Sequence, residues 1–178
     1  MGTHRLIPHE VSPPRGISSV DVRMTRLPDE KLMLRWHVNG QDALHLPPFA
    51  GKGRAEDLWQ TTCFEMFIKD RDGQGYTEFN FSPSERWAAY RFSGYREGMS
   101  EAPMDDPPEI TFASGDQLFV MTVMVSADVL DGAGAIGLSA VIEEKCGRQS
   151  FWALAHPRAD KPDFHDAACF ALSVEATG

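Results

Sequence analysis

Between Trp59 and Trp87 the sequence places two indoles together with Glu65, Asn80 and Arg86. An aromatic ring stacks on the apolar side of a sugar ring, while carboxylate, amide and guanidinium groups receive its hydroxyls, so this set has the chemistry of carbohydrate recognition. Glu65 is the sharpest signal. On the strand expected over Thr62 to Lys69, the row Phe64, Met66, Ile68 is apolar and the opposite row Cys63, Glu65, Phe67 is nearly so. A half-buried strand should have one wet face, so Glu65 is expected on a covered one. A carboxylate there needs a cation or several donors to offset its desolvation. Either it pairs internally with Arg86, with Trp59 and Trp87 as core aromatics, or it lines a pocket that a hydroxyl-rich ligand completes. We favour the pocket.

A second cluster lies in Phe151 to His165, FWALAHPRADKPDFH. Pro157 and Pro162 end a strand and force an extended loop, and long ordered loops are often functional. Trp152, His156, Asp163 and His165 are expected to add an aromatic wall and hydrogen-bonding groups. His156, Asp163 and His165 match no metal-ligand spacing of fixed geometry. The segment Asp70-Arg71-Asp72-Gly73-Gln74-Gly75 resembles the opening of a calcium loop but lacks the later acidic ligands, so it reads as a hairpin turn. Asp105-Asp106 and Asp70 to Asp72 offer acidic loops for structural calcium, although solvated loop charges are the commoner outcome. Signatures of serine hydrolases, zinc proteases, phosphate-binding loops and cysteine nucleophiles are missing. Glu65 and Glu78 could serve as a glycosidase acid and nucleophile only if they flank one pocket at a set separation.

The elements that must position these groups are strands. Val20 to Arg26 pairs with Lys31 to His37 across Pro28-Asp29, and Thr62 to Lys69 pairs with Tyr76 to Phe81 across Asp70 to Gly75; Trp87 to Phe92 continues that sheet. In Tyr76 to Phe81 the alternation sends Phe79 and Phe81 to the core and Tyr76, Glu78 and Asn80 outward, so Glu65 and Asn80 can share a face, in a register the turn length leaves open. Further strands are expected over Ile110 to Ala113, Leu118 to Val125, Gly137 to Glu144, Ser150 to Leu154 and Cys169 to Val174, with at most one helical turn at Ala127 to Leu130. About ten short strands without crossover helices predict an all-β, antiparallel two-sheet sandwich of jelly-roll or immunoglobulin-like type. The prolines and glycine of residues 1–16 predict an extended lead-in, and residues 17–178 one sandwich domain.

Composition narrows the partners. The 178 residues carry 26 acidic and 17 basic side chains, a formal charge of -9, which disfavours nucleic acid and anionic membrane. No apolar run has the length of a membrane span, and the first residues lack the apolar core of a secretory signal, so a cytoplasmic protein is expected. Cys63, Cys146 and Cys169 are odd in number and widely spaced, which predicts buried, reduced thiols in place of disulfides or zinc.

The order L-W-x-x-T-x-x-E-x-F-I at Leu58 to Ile68, the Asp72-Gly73 turn, Y-x-E-F-N-F-S-P at Tyr76 to Pro83 and the following Trp87 resembles the family 9 carbohydrate-binding modules and the related DOMON domains. W-A-L-x-H-P at Trp152 to Pro157 and P-D-F-H at Pro162 to His165 resemble the bacterial DOMON-like subgroup. The resemblance runs from about Val20 onward and implies a jelly-roll-like sandwich that binds a carbohydrate or polyhydroxylated small molecule without turnover and without a cofactor. It implies that Trp59 is the first stacking aromatic, Glu65 the strand glutamate and Arg86 the arginine, with Trp152, Phe164 or Trp87 as the second aromatic. Haem-binding DOMON domains use methionine and histidine ligands, which makes Met66, Met121, Met124 and His156 the haem candidates. The expected ligand-binding set is therefore Trp59, Glu65, Asn80, Arg86, Trp87, Trp152, His156, Phe164 and His165.

Overall fold

In the computed structural model, which describes residues 2–174, thirteen strands follow one another without an α-helix. They are β1 (Gly2–Pro8), β2 (Ser19–Arg26), β3 (Lys31–Asn39), β4 (Gly53–Arg54), β5 (Cys63–Asp70), β6 (Tyr76–Phe81), β7 (Arg86–Phe92), β8 (Ser100–Glu101), β9 (Glu109–Ser114), β10 (Leu118–Ser126), β11 (Ala133–Glu143), β12 (Gln149–Ala153) and β13 (Leu172–Ser173). The hairpins expected at β2–β3 and β5–β6 form, and Gly73 takes the left-handed φ of 95° that an Asp-Gly turn supplies. β7 extends the second hairpin as expected.

Hydrogen bonding links eleven strands in one path, β4-β7-β6-β5-β11-β12-β1-β2-β3-β10-β9, with β13 on β11 and β8 on β7. All pairings are antiparallel except the two-residue β4–β7 contact. The expected separate sheets are joined because β1 pairs with β2 through Gly2 to Leu6 and then with β12 through Ile7 and Pro8. Within the expected lead-in, Gly2–Pro8 is therefore a strand of the sheet. The prolines that argued against a strand sit at its end and beyond it, where no ladder hydrogen bond is lost.

The sheet curls so that alternate residues of its two halves meet in one core. Val20 and Val22 of β2, Leu32 to Val38 of β3 in alternation, and Phe119 to Val125 of β10 face Phe64 and Met66 of β5, Phe79 and Phe81 of β6 and Leu138 of β11. Trp36 bridges the halves, its ring 5.4 Å from Phe64 and 6.1 Å from Phe81. Each such fully buried large side chain contributes roughly 1.5–3 kcal/mol, so the seam between halves needs no further bond.

The opposite face of β5, β6 and β7 carries the site. Phe67, Tyr76, Phe92, Val141 and Ala153 form a second apolar cluster there with Phe164, Cys169 and Phe170 from the segment that follows β12. Tyr76, Glu78 and Asn80 point away from the main core as expected, but all three are buried, Tyr76 against His165 and Phe170 of this returning segment. Gly137 lets the segment seat: a Cβ at that position would stand 2.7 Å from the Phe170 ring. The strand expected over Cys169 to Val174 shrinks to Leu172–Ser173, preceded by a 3-10 turn at Ala167–Cys169 capped by the Asp166 side chain.

Candidate functional site

The register of β5 and β6 decides which polar groups meet. Glu65 lies directly across from Asn80, and Phe67 across from Glu78, so Glu65 and Glu78 are diagonal neighbours on one face. Both are buried, at 3% and 7% exposure, and both line a cavity of about 540 Å³. Its walls are aromatic: Tyr90 and Phe92 from β7, Phe151 from β12, Phe164 from the returning segment, and half-exposed Trp59 at the mouth on a 3-10 turn.

Glu65 accepts a hydrogen bond from the Ser139 hydroxyl at 2.9 Å through Oε2. Burial, and then the charge of Glu78, push its carboxyl up to about 8. Burial also raises Glu78, but the Asn80 amide, donating to Oε1 at 2.7 Å, and the Arg96 charge hold it back. The two carboxyls interact and titrate as a pair, and burial raises both above their ordinary values, Glu65 the more clearly because the Glu78 charge adds to its burial. Asn80 is itself fully buried and does not reach the cavity; its Oδ1 accepts from the Cys63 thiol at 3.5 Å. Its expected contact with a ligand is replaced by a positioning role, because it fixes the Glu78 carboxylate from behind.

His165 reaches the cavity beside Glu78, its Nε2 3.6 Å from Oε2 of that residue. Burial, and then the charge of Arg96, lower its pKa to about 4, so the ring is neutral and the contact is no ion pair. The Tyr76 hydroxyl accepts from the Arg96 backbone N–H at 3.1 Å and lies 2.7 Å from Nδ1 of His165. With that hydroxyl donating to Nδ1, the ring proton sits on Nε2 and faces Glu78 and the cavity. The rings of Phe67, Tyr76 and Phe92 meet His165 edge-on and hold it there.

Arg96 supplies the guanidinium of the cavity. It donates to Asp163 at 2.9 Å, and Asp163 also accepts from the Tyr95 hydroxyl and the His165 backbone N–H. Burial works to raise Asp163, but the Tyr95 and Arg96 hydrogen bonds outweigh it and hold the carboxyl below its ordinary value. Arg96 and Asp57, both lining the cavity, take left-handed φ angles of 54° and 59°. Such conformations in residues other than glycine are costly, and here they aim two charged side chains at one volume. At the mouth, Glu56 accepts from the Tyr90 hydroxyl at 2.6 Å; burial first, and then that hydrogen bond, raise the Tyr90 pKa.

Of the expected residues, Trp59, Glu65, Phe164 and His165 line the cavity. The others do not. Arg86, although its parity on β7 matches that of Tyr90 and Phe92, donates to the Ala50 and Arg54 carbonyls from the start of that strand and does not line the cavity. Trp87 lies on the core face of β7, with the Arg54 guanidinium 4.5 Å over its ring. Trp152 is likewise a core residue whose indole N–H donates to Ser150 at 2.9 Å, since β12 alternation puts Phe151, and not Trp152, on the cavity face. His156 sits against the His9 ring and bonds the Ile7 carbonyl at 2.8 Å, outside the cavity. Among the haem candidates, Met66 and Met121 are in the main core, whereas His156 packs against the His9 and Phe164 rings. Among the described residues no His, Cys, Asp and Glu cluster is arranged to hold a metal ion, and Asp70 is engaged by Arg91. Cys63 and Cys169 are buried thiols, whereas Cys146 is exposed on a turn.

Tyr90, Phe92 and Arg96 were not anticipated. The two aromatics alternate with Arg91 on β7 and follow from pairing β7 with β6 through Glu78–Tyr90, whereas Arg96 lies in a loop whose sequence carries no motif.

No protein-family model matches the chain, and no curated protein does. Among solved structures the chain is similar to a putative carbohydrate-binding protein from Bacteroides uniformis ATCC 8492, with a TM-score of 0.65 over 96% of this chain and 84% of that one at 14% identity. The two share a fold. Among the described residues no helix is long and apolar enough to cross a membrane.

Proposed function

We propose that the chain binds a sugar or sugar-like small molecule noncovalently in the cavity, without turning it over. The observation that carries this reading is one volume of about 540 Å³ with aromatic walls and a floor of buried hydrogen-bonding groups. Trp59 is exposed and unencumbered for stacking, and Glu65, Glu78, His165 and Arg96 offer acceptors and donors at fixed positions. The carbohydrate-binding name of the structural neighbour supports the same ligand class. We further read the two opposed halves of the sheet as layers of a jelly-roll-like sandwich related to DOMON domains and family 9 modules, which the contact of Trp36 with Phe64 supports. A thermal-shift screen over mono- and oligosaccharides tests the reading, since a ligand of the native state raises the midpoint. Trp59→Ala should weaken the sugar found by about tenfold. Unchanged affinity in that variant and in Glu65→Gln would remove the cavity as the site.

One rival is favoured by a specific observation. Glu65 and Glu78 are diagonal neighbours lining one cavity, and burial raises both carboxyls, Glu65 to about 8, so an acid beside a second carboxyl stands where glycoside cleavage would need one. Turnover of chromogenic glycosides, abolished in Glu65→Gln, would replace binding by catalysis.

A further inference from the structure

We infer that the cavity favours a ligand in which a protonated amine accompanies the hydroxyls, of the amino-sugar class, over its neutral counterpart. This rests on the sugar-binding reading above. The floor carries more acceptor than it can use. Oε2 of Glu65 holds the Ser139 hydroxyl, while its Oε1 has no hydrogen-bond partner among the described residues, in a side chain that is 3% exposed and lines the cavity. Beside it, Oε1 of Glu78 takes the Asn80 amide, and its Oε2 stands 3.6 Å from His165 Nε2, beyond an ordinary hydrogen bond.

From the protein side one cation, Arg96, acts on these groups among the described lining residues. Arg96 is the one basic side chain among the described lining residues that is charged at neutral pH, and its charge is already matched by Asp163, which is 2% exposed. Glu56 and Asp57 add two carboxylates at the mouth. A neutral hydroxyl donates one hydrogen bond and leaves the charge of the floor in place. An ammonium group has three donors and a full positive charge, so it can reach both floor carboxyls at once. The Tyr90 and Phe92 rings of the same cavity wall favour a cation further. Uronic acids and sugar phosphates meet like charge and are selected against.

Binding of the amine also has a proton balance. Burial raises both floor carboxyls, so without ligand they resist ionising together; an ammonium group at the floor favours both ionised forms, and a proton held there leaves to solvent. The groups that face the pair and contribute to this balance are Glu56, Asp57, Tyr90, Arg96 and His165 in the cavity, with Cys63, Tyr76 and Asp163 behind it.

Calorimetric titration of the full chain with glucosamine, galactosamine and mannosamine, their parent hexoses and their N-acetyl forms tests the inference. At slightly acidic pH, where the amines are charged, at least one amino sugar should bind about tenfold or more tightly than both its hexose and its N-acetyl form. Runs in buffers of different ionisation enthalpy should register proton release for that sugar and not for its hexose. In the Glu65→Gln, Glu78→Gln double variant the preference should collapse to less than about threefold; the proton release is read on the wild-type chain and does not depend on that variant folding. Hexoses binding as tightly as every amino form, or amine binding without proton release, would overturn the amine preference and leave the sugar-binding reading standing. Folded wild-type protein that binds nothing in the panel would overturn both.

Discussion

Glu65→Gln should make the protein more stable while weakening its site. The Glu65 carboxyl titrates near 4.5 when exposed and is pushed up to about 8 in the fold. Between those two values the folded chain holds a proton that the unfolded chain has released, so stability is fully present below pH 4.5 and is lost as pH rises towards 8. At about 1.36 kcal/mol per tenfold change, the loss is roughly 3 kcal/mol by pH 7, and it belongs to the Glu65–Glu78 pair jointly. Glutamine ends this titration yet keeps an acceptor for the Ser139 hydroxyl and turns an amide donor towards Glu78. Urea unfolding should therefore find the variant about 2–3 kcal/mol more stable at pH 7, or some 5–10 °C higher in midpoint, with a gain under about 0.5 kcal/mol at pH 4.5. Sugar affinity should fall by about tenfold in the same protein. A variant that is destabilised at pH 7, or that differs from wild type equally at both pH values, would refute a desolvated, proton-sharing pair.

The acid limb belongs to another residue. His165, lowered to about 4 from an ordinary 6.5, resists protonation in the fold, so its contribution is lost as pH falls through that interval, and His165→Gln should flatten the wild-type decline measured there by circular dichroism. Arg96→Ala leaves the Asp163 charge buried and unpaired; because Arg96 is half-exposed, we expect a loss of about 1–2 kcal/mol in urea unfolding. Gly137→Ala should cost about 1–3 kcal/mol and raise proteolysis of the segment after β12, since the new methyl meets the Phe170 ring.

The strands were legible because period-two alternation is local, and the burial of Glu65 followed from the apolar company on both of its rows. The direct Glu65–Asn80 pairing needed the register that the connection from Arg71 to Gly75 fixes only in three dimensions. Trp87 and Trp152 misled for a related reason. An indole near a polar cluster reads as a wall, but a one-residue offset on β7 and on β12 turns each into the core and gives the cavity to Tyr90, Phe92 and Phe151 instead. The guanidinium was expected from the β-strand position Arg86 and comes from Arg96, which depends on a left-handed backbone and on Asp163, far along the chain. β1 escaped notice because nearby prolines dominate its sequence, and its pairing partner Ala153 lies at the other end of the chain.

That seam between β1 and β12 sets a schedule for the newborn chain. Hairpins such as β2–β3 and β5–β6 join neighbours and can form as soon as they leave the ribosome, whereas Ile7 must wait for Ala153. At 5–20 residues per second the wait is roughly 7–30 s, during which the free edge of β1 is open to other nascent chains. The cavity matures later still, because Phe164 and His165 emerge after the seam residues. Ligand present during synthesis can thus hold only chains that have already closed the sheet, and its benefit to yield should begin only after His165 has emerged.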